Sequence, residues 1–245
     1  MRLFFEKKDF YPNRVVLTDA LFHHLSRVRR IQSGEIVTIV VSHTCYKISV
    51  KSLDRHHLFF DTISEVPPRP NMLELTLVQC IPKGSKMQDI IHNVTQLGVS
   101  RIIPVLSHRS IVQWDKTKQL KLVDKWSQIA LSSAQQSEQD QCPTVSPILT
   151  FSSFMPTFNP HDYDVCILPW ESESDHTLKS VLNNMRLSQH KSAAIFIGPE
   201  GGITCAEHDA LVSNGFKSVS LGPHIYRTEM AGIVTISQLI YALSQ

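Results

Sequence analysis

Three of the chain's nine glycines fall within five residues, in the stretch Ile197-Gly198-Pro199-Glu200-Gly201-Gly202-Ile203. Glycine lets a backbone approach a ligand closely and adopt φ values closed to other residues, so such a cluster can wrap a small molecule in amides and carbonyls. Glu200 sets a carboxylate among them, where the following residues turn helical. The same glycines would also serve a plain strand-to-helix turn. A second stretch, Ser220-Leu221-Gly222-Pro223-His224-Ile225-Tyr226-Arg227-Thr228-Glu229, repeats the theme with a Gly-Pro step and a polar trio that enters a helix. A third, Leu168-Pro169-Trp170-Glu171, follows another apolar run. Together they offer backbone groups, carboxylates and one arginine, with no evident nucleophile. No GxGxxG or GxSxG is present, and Lys83-Gly84-Ser85-Lys86 lacks the spacing of a nucleotide-binding P-loop. An unrelated α/β hydrolase is therefore disfavoured. None of the twelve histidines sits in an HExxH pattern, and the five cysteines have no CxxC spacing. Neither a metal site nor a disulfide framework is expected.

These loops need a scaffold that brings them together. From Leu73 onward strands and helices alternate, which implies a largely parallel sheet covered on both faces. The strands are expected at Leu73–Ile81, Arg101–Leu106, Asp164–Leu168, Ala193–Ile197 and Ser218–Leu221. Helices are expected at Lys86–Leu97, Lys116–Gln136, Thr177–Leu187, Thr204–Asn214 and Thr228–Leu243, from apolar residues at helical spacing. Gly98 and Gly215 stand where C-terminal caps belong, and Thr204-x-x-Glu207 reads as a capping box. Ligands of such sheets bind beyond the carboxyl ends of the strands, where the three loops lie.

Residues 1–66 differ, with short β-branched runs at Arg14–Leu17, Ile36–Val41, Tyr46–Val50 and Leu58–Phe60 that suit a small barrel or curled sheet. One helix is expected over Thr18–Arg30, with Thr18 as its N-cap and Leu21, Leu25 and Val28 on one face. The proline-rich Val66-Pro67-Pro68-Arg69-Pro70-Asn71 marks the boundary, giving domains 1–68 and 72–245. The net charge of +2 hides an asymmetry: residues 1–70 hold 11 basic and 7 acidic side chains, the remainder 13 and 15. A basic first domain suits a polyanion. With 42% hydrophobic residues and no apolar run long enough for a bilayer, the chain reads as soluble. Charges interrupt Met1–Arg14 too early for a signal peptide, so a cytoplasmic location is expected.

These motifs, in their order and spacing, resemble the RsmE family of 16S rRNA (uracil-N3)-methyltransferases within the SPOUT superfamily. The most specific matches are Ile197-Gly198-Pro199-Glu200-Gly201-Gly202, Ser220-Leu221-Gly222 and Ile225-Tyr226-Arg227-Thr228-Glu229. Met1-Arg2-Leu3-Phe4-Phe5, Val28-Arg29-Arg30, Lys83-Gly84 with Met87, Gln96-Leu97-Gly98-Val99, Arg109-Ser110 and Lys125-Trp126 support them along the whole chain. The resemblance implies an α/β fold: a SPOUT-type knotted methyltransferase domain preceded by a small PUA-like β-barrel domain. It also implies a homodimer acting on 16S rRNA of the small ribosomal subunit, with S-adenosyl-L-methionine as methyl donor. Carried over by position, Leu168, Ile197, Gly198, Pro199, Gly201, Gly202, Ser220, Leu221, Gly222, Ile225 and Tyr226 would surround that cofactor. Arg2, Arg27, Arg30, Lys83, Lys86 and Arg109 would bind RNA, although Arg27 and Arg30 also fit a solvated helix face. Transfer to N3 of uridine requires loss of its proton. Glu200 or Glu229 would take or orient that proton, and Arg227 would stabilise the developing anion.

The chain departs from the family pattern at Met230, where RTETA becomes Arg227-Thr228-Glu229-Met230-Ala231. It departs again at Ser132 and Gln139, and near Val41-Ser42-His43, where an Asp-Gly turn is usual. Two alternatives stand beside the resemblance: another SPOUT RNA methyltransferase acting on the ribose 2′-oxygen, and a non-catalytic RNA-binding relative.

Overall fold

Alternating β-branched and polar residues in the first third, and longer apolar periods after it, produce two kinds of sheet. The computed structural model describes residues 2–42, 44–67, 73–110, 114–183 and 191–243. They form two units, Met1–Pro70 with Ala134–Cys142, and Asn71–Ser133 with Pro143–Gln245. The proline-rich boundary at 68–72 lies outside the described residues.

In the first unit β1 (Arg2–Phe5), β2 (Phe10–Tyr11), β3 (Arg14–Val16), α1 (Asp19–His23), β4 (Ile36–Val41), β5 (Thr44–Leu53) and β6 (His57–Val66) follow in order. The sheet runs β1-β4-β5-β6-β3-β2, with β1 parallel to β4 and the other pairs antiparallel. One face buries Leu3, Val15, Ile39, Ile48, Leu58 and Phe60. Register shifts at Lys47/Ile48 and Val50/Ser52 interrupt the β5–β6 ladder, and such bulges bend a sheet. At the β4–β5 turn, Ser42 takes a φ of 46° where the family pattern has Asp-Gly, and the ladder still closes at Val41↔Thr44.

The helix expected over Thr18–Arg30 is shorter and widens. The Thr18 hydroxyl accepts the Leu21 amide at 3.2 Å and caps α1, but His24–Val28 forms a π-helical turn. The Ser26 hydroxyl donates to the Phe22 carbonyl at 2.7 Å, and the Arg29 amide bonds His24. A hydroxyl that competes for helical carbonyls loosens a helix locally. Leu25 is buried, Val28 points to solvent, and Arg30 ends the turn at φ 52°.

The second unit is built on β7 (Leu73–Cys80), α2 (Lys86–Gln96), β8 (Arg101–Leu106), α3 (Lys116–Gln136), β9 (Thr144–Val145), β10 (Leu149–Thr150) and α4 (Phe151–Phe154). Next come β11 (Val165–Pro169), α5 (Leu178–Asn183), β12 (Lys191–Ile197), α6 (Cys205–Ser213), β13 (Lys217–Val219) and α7 (Thr228–Leu243). All pairs are parallel, in the order β10-β8-β7-β12-β11-β13, with β9 also beside β8. The alternating sheet read from the sequence is therefore present. The short β9, β10 and α4 were not legible in it. β13 ends at Val219, and Ser220 makes only an isolated bridge to Thr177. Of the helix expected over Thr177–Leu187, α5 is the described part, and residues 184–187 lie outside it. Trp126 and Ala130 of α3 are buried as its stripe requires, whereas Leu120 is exposed.

Phe154, Phe158, Phe196 and Phe216 pack with centroids 5.0–6.1 Å apart, and Phe196 immediately precedes the glycine-rich loop. The capping box is complete at α6, and Gly215 follows at φ 97°. Among the described residues no helix is long and apolar enough to cross a membrane.

α7 packs on α2, β7 and β12. Within it, a Cβ on Gly232 would meet Ile197 and Leu77 at 3.7 Å, an ordinary contact. Gly232→Ala is expected to raise stability by about 0.5–1 kcal/mol, since alanine is the better helix former and loses fewer unfolded conformations. A higher urea midpoint at unchanged m-value is the check.

Candidate active site

β12, β11 and β13 are neighbours, so the three loops at their carboxyl ends converge. They enclose a cavity of about 620 Å³. Loop by loop, its walls are Leu168, Pro169, Trp170, Glu171 and Glu173; Ile197, Gly198, Pro199, Glu200, Gly202 and Ile203; and Ser220 through Thr228. Lys86 of α2 and Ala231 of α7 complete it. Every residue assigned to the cofactor from the sequence lines this cavity except Gly201, whose carbonyl turns outward to accept Arg109 Nη1 at 2.6 Å.

The glycine-rich loop is held from several sides. Its Gly202 amide donates to the Pro199 carbonyl at 2.9 Å, with Gly202 at φ 67°. The buried Thr228 hydroxyl donates to the Gly198 carbonyl at 2.6 Å and accepts Gln79 Nε2 at 3.0 Å. Gln79 is fully buried at the end of β7, and the same amide nitrogen also donates to the Cys80 carbonyl. The carboxyl end of β7, the loop after β12 and the first turn of α7 thus share one chain of hydrogen bonds. On the outer side, Glu207 does more than cap α6. One oxygen accepts the Thr204 amide, and the other accepts the His108 amide at 2.7 Å, next to Arg109.

The other two loops are organised differently. Ser220 Oγ accepts the Gly222 amide at 3.3 Å, and Gly222 sits at φ 112° with open space where a Cβ would point. Trp170 donates its amide to Val219 and stacks on His208 with ring centroids 3.7 Å apart. Burial pushes the Glu173 carboxyl up, but the Asp175 amide, the Ser218 hydroxyl and the His176 amide and ring outweigh it and hold it below the ordinary range.

Two of the three residues proposed for chemistry, Glu200 and Glu229, are brought to one cation. Lys86 Nζ lies 3.0 Å from Glu200 Oε1 and 3.3 Å from Glu229 Oε2. Glu200 further accepts the Lys83 amide at 3.2 and 3.3 Å. Burial pushes its carboxyl up, yet the loop amide, the Lys86 ammonium and the Lys83 amide together hold it below its usual value. Glu229 Oε2 is buried with no directed hydrogen bond. Arg227 lines the rim, exposed and without a hydrogen-bond or ion-pair partner among the described residues. Lys83 and Arg109 are exposed beside these groups. The first unit carries the remaining basic candidates. Arg27 and Arg30 are exposed, whereas Arg2 is mostly buried and paired with Asp140.

Sequence reasoning missed Gln79, the second bond of Glu207, and Glu171 and Glu173. Gln79 had a usable signal, as one amide in the apolar run Leu77-Val78-Gln79-Cys80-Ile81. Glu171 is an exposed carboxylate on the cavity wall, with Oε1 only 3.5 Å from where a Cβ on Gly202 would sit.

With this geometry in hand, the comparisons are decisive. A family model described as an RNA methyltransferase domain matches residues 69–240. The ribosomal RNA small subunit methyltransferase E of Synechocystis is 30% identical, over 97% of this chain and 76% of its own length. The chain belongs to the RsmE family. The Bacillus subtilis protein of the same name is 29% identical over 92% of this chain and 89% of its own. The Neisseria gonorrhoeae family member, solved bound to S-adenosyl methionine, superposes with a TM-score of 0.82 at 26% identity, covering 98% of this chain and 96% of that one.

The cavity fits such a cofactor on its own terms. Glu171, Glu173 and Glu200 outnumber Lys86 and Arg227, so its wall carries excess negative charge, as a sulfonium and an ammonium group require. Its volume lies within the usual range for a small-molecule pocket. Thr228→Val is expected to leave the Gly198 carbonyl and a Gln79 amide proton unpaired, costing about 1–3 kcal/mol of stability. Its affinity for S-adenosylmethionine, read by calorimetry, should fall at least about tenfold if that carbonyl's position shapes the pocket.

Proposed function

We propose that this protein transfers a methyl group from S-adenosylmethionine to N3 of a uridine in 16S ribosomal RNA of the small ribosomal subunit. The observation that carries this is the negatively charged cavity formed by the loops after three adjacent parallel strands, two of them glycine-bearing, in a member of the RsmE family. S-adenosylmethionine, when bound, supplies a methyl group on a positively charged sulfur. The protein's own residues then mainly position and polarise.

Backbone groups of Gly198, Gly202 and Gly222 hold the cofactor's polar edges, while Leu168, Ile197, Leu221 and Ile225 flank its rings. Ile225 is 79% exposed, an apolar side chain at the mouth that gains burial when a ligand arrives. Pro199, Gly201, Ser220 and Tyr226 shape the loops. Arg227, whose side chain makes no ion pair among the described residues, stabilises the uracil anion that forms as N3 loses its proton. Glu229 is the better acceptor for that proton, because its Oε2 meets only the Lys86 ammonium, whereas Glu200 is tied to that ammonium and to the Lys83 amide as well. The target base must leave any stack to reach the cavity.

Arg27 and Arg30 on the first unit, and Lys83 and Arg109 on the second, contact RNA phosphates. Arg2, held by Asp140, supports the first unit's surface. Residues 1–68 make a PUA-like RNA-binding barrel domain, and residues 72–245, apart from the 134–142 segment that groups with the first unit, a trefoil-knotted SPOUT domain. Two copies associate through α7, whose Tyr241 and Met230 are exposed and whose Ile233 and Ile240 are half-buried. An enzyme acting on ribosomal subunits works in the cytoplasm.

The test is to incubate the protein with labelled S-adenosylmethionine and unmodified small ribosomal subunits, then identify the methylated nucleoside by mass spectrometry. 3-Methyluridine is expected, and a ribose-methylated product would replace the proposed target atom. Arg227→Met should lower kcat by about 100-fold or more while cofactor affinity stays within a few fold.

A further inference from the structure

Lys86 has the features of a phosphate contact: a long cation at the edge of a cavity that takes RNA. Its surroundings in the structure are different. The ammonium sits between two carboxylates from separate elements, 3.0 Å from Glu200 on the loop after β12 and 3.3 Å from Glu229 in the first turn of α7. Only about a third of its side chain is exposed. The Lys83 amide, one turn before it, bonds the same Glu200 carboxylate. Both acids and the base line or adjoin the cavity wall.

Building on the methyl-transfer function above, we propose that Lys86 is a positioning residue that clamps Glu200 and Glu229 together at the cavity rim, not an anchor for RNA phosphates. Two carboxylates brought this close repel each other, and a shared cation offsets that repulsion. Without it Glu229 would turn toward solvent, away from the base it serves, and Glu200 would lose a cation that keeps it ionised. The other charged groups around the pair are Arg227 on the rim, Arg109 behind Gly201 and Asp89 one turn along α2. None of them makes an ion pair with either carboxylate among the described residues.

The clamp and the anchor predict different behaviour for Lys86→Met. A clamp lowers kcat by at least about tenfold and leaves KM for small subunits, and its salt dependence, near the native values. It also moves the acid limb of the kcat profile to higher pH, because Glu200 loses the cation that helps hold its carboxyl down. Lys86→Arg, which keeps the charge, restores most of kcat. An anchor instead raises KM for the subunits and lowers the salt slope by about one, with the pH profile unmoved. That result overturns the proposal, as does an unchanged kcat.

A second measurement needs no turnover. Carboxyl-detected NMR titration of Glu200 in the native protein and in Lys86→Met should show the variant titrating at higher pH. Coincident titrations overturn the clamp even if the native protein methylates nothing. A native protein without activity but with a shifted Glu200 overturns only the function on which the clamp's catalytic role was built.

Discussion

A single hydroxyl, that of Thr228, joins the parts of the catalytic unit that have to agree. It donates to the Gly198 carbonyl and accepts from the fully buried Gln79. Glycine gives the loop after β12 the freedom to wrap a ligand, and that freedom would leave it floppy without a fixed point. The fixed point comes from the carboxyl end of β7, the central strand beside β12, through a side chain in the first turn of α7. Because Thr228 and Gln79 are buried, their bond is worth more than a surface bond, and it is costly to leave unmade. The loop thus inherits the rigidity of the sheet at one atom and keeps its conformational range elsewhere.

Around that point the structure separates positioning from chemistry. Glu207 completes the α6 cap and also holds the loop carrying Arg109, which in turn grips the Gly201 carbonyl. Glycine backbone is thereby held from inside by Thr228 and from outside by Arg109. Glu173 closes its own turn after β11. Arg227, in contrast, has no partner among the described residues. Hydrogen-bonded groups fix the cavity wall, and the Arg227 side chain stands at its rim.

The sheet of the second unit was legible in the sequence because its strands are apolar runs bounded by glycine and proline, and its helices carry full apolar stripes. Two of the three loops could be singled out for a similar reason: Gly198, Gly202 and Gly222 advertise backbone that other residues cannot supply. The first unit was harder. β6 runs on through Asp61–Val66 with every residue exposed, so no alternation marks its second half. α1 carries the right cap and spacing, yet Ser26 competes for a helical carbonyl and the helix gives way to a π turn. Glu207 was legible as a cap, but its bond to His108, 99 residues away in the chain, depends on the fold. Gln79 belongs to the same class. A buried amide in a strand shows that a partner exists and says nothing about where it lies.

The charge of the cavity bears on more than attraction. Three glutamates against one lysine and one arginine leave the wall net negative, and Glu229 adds to this from just behind it. A methyl donor whose reactive sulfur is positive is favoured there, in surroundings where water screens less than in bulk. Once the methyl group has left, the sulfur is a neutral thioether and that part of the attraction is gone. The same carboxylates that draw the donor in thus hold the spent product less strongly. The cost is a cluster of like charges in a confined space, and Lys86 and the loop amides offset it. A pocket built this way must keep its own cation close to its own anions, and so Lys86 is already engaged before any substrate arrives.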